Sequence, residues 1–168
     1  MSEVATELDI SGGIAVGYDG SENSGHAARW AAEWAQKVGC DVHAVRTWTL
    51  STAPRPASWE PGYVPPMADF EGAVLEALQH DIEALKLPDD VTVLCHVVHG
   101  AAGRRLVEVS ERVELLVLAS RGRGGFRELV LGSTADQVVR HAHCPVVVIP
   151  VVAQGEPASP DERLLKGE

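Results

Sequence analysis

Between Ala119 and Thr134 the chain gathers Arg121, Arg123 and Arg127 with Gly122, Gly124 and Gly125, and then continues as Gly132-Ser133-Thr134. Arginine supplies a permanent charge and a fork of N–H donors that suits the oxygens of a phosphate. Glycine has no Cβ, so backbone amides can approach an anion directly. The residues after Gly132 have a helical pattern, and the first N–H groups of a helix lack partners within it and favour negative charge. These residue types in this order are suited to anion binding. A glycine-rich loop alone is weak support, but one set between a strand and a helix is more specific. The cluster stands out against a chain whose net charge is −10.

Other chemistries fit less well. No lysine follows the glycines, so the loop is not a Walker A sequence. There is no G-x-S-x-G elbow, and the Gly-Ser pairs are Gly20-Ser21 and Gly132-Ser133. His141, His143 and Cys144 look like metal ligands on paper, yet two histidines two positions apart on a helix end point in different directions. His96 and His99 fall on opposite faces of a strand. Asp19 can serve a pocket or a turn, and Ser133 and Thr134 can cap a helix while leaving its amides to an anion. Trp30 and Trp34 share a helical face and are expected in the core.

The elements that must position these residues alternate. Ile14 to Tyr18 is an apolar strand running into Asp19-Gly20-Ser21, which is turn and helix-start chemistry. Apolar residues at Ala27, Trp30, Ala31, Trp34, Ala35 and Val38 mark a helix that Gly39 stops. A strand over Val42 to Trp48 follows, then a helix through Phe70, Val74, Leu78, Ile82 and Leu85. Val91 to Val98 is a third strand, and Leu106, Val109 and Val113 mark a third helix. A fourth strand at Leu115 to Leu118 delivers the glycine loop. The last pair is a helix through Ala135, Val138, Val139 and Ala142 and a strand over Pro145 to Ile149. Such alternation predicts an α/β fold, a single doubly wound sheet of five parallel strands in order 3-2-1-4-5 with helices on both faces. The order reverses between strands one and four, so their carboxyl ends define the expected crevice. The fourth and fifth strands read as apolar runs covered on both sides.

At 168 residues, 45% of them hydrophobic, the chain has enough material for one core. The expected divisions are an N-terminal extension at 1–10, a domain at 11–152 and a disordered tail at 153–168. Ser51 to Pro66 holds five of the ten prolines and predicts a long loop able to lie over the crevice. The acidic charge argues against nucleic acid and anionic membranes as partners, and no apolar run reaches the ~20 residues of a membrane span. Three widely spaced cysteines and an N-terminus without basic residues favour a cytoplasmic location. Val146 to Val152 offers an apolar edge strand for pairing with a second copy.

The chain resembles the universal stress protein family in its nucleotide-binding branch, which carries G-x2-G-x9-G-[S/T]. Gly122, Gly132 and Ser133 match its second half. Val16-Gly-Tyr-Asp-Gly-Ser21 and His141-Ala-His-Cys-Pro-Val146 match elsewhere, and the likeness spans Gly13 to Pro150. The resemblance implies an adenine nucleotide alpha hydrolase-like fold and a homodimer formed through the last strand. It also implies binding of ATP, or of AMP or a cyclic nucleotide, with Mg²⁺ held through the phosphates. Gly17, Tyr18 and Asp19 would border the adenosine, with Thr47 and Leu118 near the base and Ala119 at the motif's first position. Arg121, Gly122, Arg123, Gly125, Gly132, Ser133 and Thr134 would surround the phosphates. Ala119 stands where the motif has glycine, and one added methyl weakens binding by ~1–3 kcal/mol rather than abolishing it. The expected output is occupancy in a stress response, with at most slow ATP hydrolysis or autophosphorylation on Ser133 or Thr134. The alternative is a dimeric interaction module that has lost its nucleotide.

Overall fold

The computed structural model describes residues 8–123 and 131–151. Its elements run β1 (Ile14–Gly17), α1 (Glu22–Val38), β2 (Val42–Trp48), α2 (Met67–Ala84), β3 (Val93–His99), α3 (Ala102–Ser110), β4 (Leu115–Ala119), α4 (Ser133–His141) and β5 (Val146–Ile149). All four pairings are parallel and the order is β3-β2-β1-β4-β5, as the alternation predicts. The register is continuous across the centre, with Ile14 opposite Val42 on one side and Leu115 on the other.

The strand period of two divides the core into two layers. Ile14, Val16, Val42, Ala44 and Trp48 face α1 and α2, and meet Ala27, Ala31, Ala35, Val74 and Leu78. Ala15, Val45, Leu116 and Leu118 face α3 and α4, and meet Leu106, Val109 and Val138. The alanine face of α1 lets its backbone come close to the sheet. Ile10, which the sequence places in an extension, is buried against the second layer.

Local chemistry sets the helix ends. Ser21 caps α1, its hydroxyl accepting from the Ser24 N–H at 3.1 Å. Gly39 ends that helix in the left-handed region at φ 72°. The proline-rich chain between β2 and α2 forms no strand or helix, and Arg55 lies over the Trp59 ring at 4.4 Å.

Two expectations need correction. Trp30 packs against the core as expected, but Trp34, stacked on it at 5.8 Å, is 43% exposed. The alanines of α1 reach the sheet, whereas Trp34 lies along the helix surface beneath Lys37. β5 is half-buried at every residue rather than covered on both faces, because it is the edge strand. Among the described residues, no helix is long and apolar enough to cross a membrane. The tail at 153–168 lies outside the described residues.

Candidate functional site

Strand order reverses between β1 and β4, and a cavity of about 520 Å³ opens at their carboxyl ends. Sites of this size at such a crevice suit small ligands. Gly17, Tyr18, Asp19, Thr47, Leu118, Ala119, Arg121, Gly122, Arg123, Gly132, Ser133 and Thr134 all line it. The structure thus brings together every candidate except Gly125, which lies outside the described residues with Gly124 and Arg127.

Asp19 holds the two loops of the crevice together. Its Oδ1 accepts from the Ser21 N–H at 2.9 Å, and its Oδ2 accepts from the Arg123 N–H at 3.0 Å. Burial of the carboxyl opposes its charge. Hydrogen bonds from Ser21, Ser24 and Arg123 outweigh that penalty and hold its pKa below the ordinary aspartate value. The turn role and the cavity role therefore fall on one side chain. Gly122 must be glycine for this contact, because a Cβ there would stand 2.6 Å from Asp19 Oδ2.

The loop after β4 closes on itself where the Gly132 N–H donates to the Ser120 carbonyl at 2.7 Å. Gly132 is then the N-cap of α4 and has no side chain to cap it. Ser133 is the first helical residue rather than the cap, so its hydroxyl does not satisfy the first turn. The leading amides of α4 are left for a ligand or solvent. Among the described residues, a Cβ on Gly132 would meet nothing nearer than 3.5 Å, and its φ of −67° suits any residue. No described residue requires glycine at this position. Arg121 Nε is buried and has no hydrogen-bond partner among the described residues. Burying a guanidinium donor without a partner is costly. Ala119 continues β4 with an ordinary backbone, opposite Ile149.

On the other wall, Gly17 allows β1 and β4 to close. A Cβ there would stand 2.5 Å from Leu118 Cδ2 and 3.2 Å from Leu106 Cδ1. Leu106 brings α3 into the cavity, and Thr49, Ser51 and Thr52 bring the start of the β2–α2 loop. Their hydroxyls are linked, Thr49 Oγ1 lying 2.9 Å from Ser51 Oγ.

Arg46 is the charged lining residue that sequence reasoning missed, beside Thr49, Ser51, Thr52 and Leu106 among others. It is 8% exposed and sits in the interior strand β2. The signal was an arginine within a strand, a residue type that usually marks a solvated face. Histidines pair elsewhere in the sheet: His43 Nδ1 and His96 Nε2 lie 3.0 Å apart across β2 and β3. Among the described residues, no group of three or more His, Cys, Asp or Glu side chains could hold a metal ion.

Comparison with known proteins gives a consistent result. A family model described as the universal stress protein family matches residues 13–150. A universal stress protein of Methanocaldococcus jannaschii is 30% identical, the match covering 81% of this chain and 80% of that protein. One of Mycobacterium tuberculosis is 33% identical over 95% of this chain and 53% of its own length, so this chain spans about half of that relative. Among solved structures, UspA of Lactobacillus plantarum superposes with a TM-score of 0.63 at 19% identity, covering 85% of this chain and 99% of that one. A structure of a universal stress protein in complex with cAMP gives 0.57 at 20% identity, covering 84% and 97%. The Archaeoglobus fulgidus protein in complex with dAMP gives 0.55 at 20% identity, covering 83% and 98%.

Proposed function

This chain belongs to the universal stress protein family, and we propose that it is a regulatory protein acting through adenine-nucleotide occupancy of its cavity. The observation that carries this reading is the set of uncapped α4 amides opening on the cavity that Arg121 and Arg123 also line. The amides lack acceptors within the helix, and the arginines add positive charge that suits phosphate oxygens. The glycine at 132, which no described neighbour requires, leaves room there for close approach. Complexes of family neighbours with cAMP and dAMP support the choice of an adenine nucleotide.

In this reading ATP is the ligand. Gly122, Gly132, Ser133, Thr134, Arg121 and Arg123 would hold its phosphates. Gly17, Tyr18, Asp19, Thr47 and Leu118 would border the adenosine, with Ala119 beside it. Mg²⁺ would enter with the nucleotide and be held mostly through phosphate oxygens. Among the described lining residues Asp19 is the carboxylate, and its oxygens are engaged as hydrogen-bond acceptors from Ser21, Ser24 and Arg123, which favours occupancy over fast turnover. Any hydrolysis, or transfer of phosphate to Ser133 or Thr134, would be slow.

The protein is proposed to act in the cytoplasm as a homodimer joined along β5, which is half-buried in the single chain. Calorimetry with ATP and Mg²⁺ tests the function: saturable heat is expected, and silence at millimolar nucleotide would refute it. Ala119, in place of the motif glycine, favours the second reading of a nucleotide-free interaction module. That reading predicts protein purified without any bound nucleotide.

A further inference from the structure

Arg46 is nine-tenths buried, yet the ion-pair partner it meets among the described residues is distant. Asp81 Oδ2 lies 3.8 Å from its Nη1, beyond hydrogen-bond range, and Asp81 is itself one-third exposed. A guanidinium with five donors and one loose contact has donors to spare for an incoming acceptor. A second cation raises the cost of its burial, because Arg123 is close enough to disfavour the charged form of Arg46. Arg123 crosses the crevice to do so, its Nη2 filling the space that a Cβ on Gly20 would take. Asp81, Tyr18 and Asp19 favour the charge and offset part of that cost.

Arg46 also lies on a different side of the site from the α4 amides. It alternates with Ala44 and Trp48, the residues of β2 that face α1 and α2, while α4 covers the opposite face of the sheet. Both ends border the same cavity. We propose that Arg46 and Arg123 form a second anion subsite, taking a phosphoryl group of the ligand additional to the one held at α4. The inference rests on the nucleotide reading of the cavity. The second phosphoryl is either the end of a linear chain, as in ADP, or a phosphate on the ribose, as in adenosine 3′,5′-bisphosphate. A single-phosphate ligand leaves the subsite empty.

The test is titration calorimetry of the full chain with AMP, ADP and the 3′,5′-bisphosphate, in the parent protein, Arg46→Met and Arg46→Lys. One of the two doubly phosphorylated ligands is expected to bind about tenfold tighter than AMP, the yield of a charged hydrogen-bonded contact. Which one it is identifies the source of the phosphoryl. Arg46→Met should erase that preference and Arg46→Lys retain part of it. Equal weakening of all three ligands in Arg46→Met, or a preserved preference, overturns the subsite. Melting curves with inorganic pyrophosphate separate this result from failure of the nucleotide reading. If no nucleotide binds but pyrophosphate still raises the melting temperature of the parent and not of Arg46→Met, the reading fails and the subsite stands. If pyrophosphate raises neither, the subsite falls as well.

Discussion

Asp19 and Arg123 lie 104 positions apart and meet through a single hydrogen bond, from the Arg123 amide to Asp19 Oδ2 at 3.0 Å. That bond ties the loop after β1 to the loop after β4 and sets the width of the crevice between them. The carboxylate is held charged against burial by the hydrogen bonds it accepts.

Removing that charge should therefore loosen the site. Asp19→Asn keeps the shape but loses the charged acceptor, a change of about 1.5–3 kcal/mol. The Asp19 pKa is lower in the folded than in the unfolded chain, so the unfolded chain binds more protons in acid. The stabilisation is full above the ordinary aspartate pKa and fades as pH falls through the folded value. Denaturant unfolding from pH 7 to pH 3 should show the gap between parent and variant closing toward the acid end. A constant gap would mean that the charge is not the source.

Gly132→Ala should separate ligand from fold. The new methyl meets only ordinary contacts and suits the local backbone, so stability should stay within about 0.5 kcal/mol of the parent. Nucleotide affinity should fall by about tenfold, because the methyl points where an anion would approach the α4 amides. Melting temperature and calorimetry on one preparation decide between this and a purely structural glycine.

The His43–His96 pair predicts a second acid-sensitive region. Burial pushes both imidazoles down, and His43 pushes His96 further, while Asp41 and Asp9 oppose the shifts. Folded pKa values below the unfolded value of about 6.5 mean that stability is full above that pH. It should be lost as pH falls from there toward the folded values. The double variant His43→Leu with His96→Leu should remove this slope from urea midpoints between pH 7.5 and pH 5.5. A slope that persists would place the effect in other groups.

Sedimentation at micromolar concentration should show a dimer, and Val148→Lys on β5 should shift it to monomer by placing a charge on the edge strand. A monomeric parent would remove the proposed assembly.

Much of this was legible in the sequence because it rests on local periodicity. Strand and helix alternation led to the sheet order, and the sheet order led to the crevice where Asp19 and the Gly132 turn converge. Arg46 was not legible, since nothing local distinguishes a cation facing α2 from one facing solvent. The hydrogen bond between Asp19 and Arg123 depends on where β1 and β4 end, which only the folded register decides. Trp34 misled because a shared helical face does not reveal how wide the buried stripe is. On α1 it was narrow, filled by alanines. Ser133 misled by one position, since the N-cap is Gly132.

Trp48 closes β2 in the cavity wall, 1% exposed, with its ring edge-on to His99 at 4.8 Å. The other three tryptophans lie on α1 and in the β2–α2 loop. With those exchanged for phenylalanine, the remaining indole becomes an intrinsic optical reporter, its emission following the filling of the crevice without any attached dye.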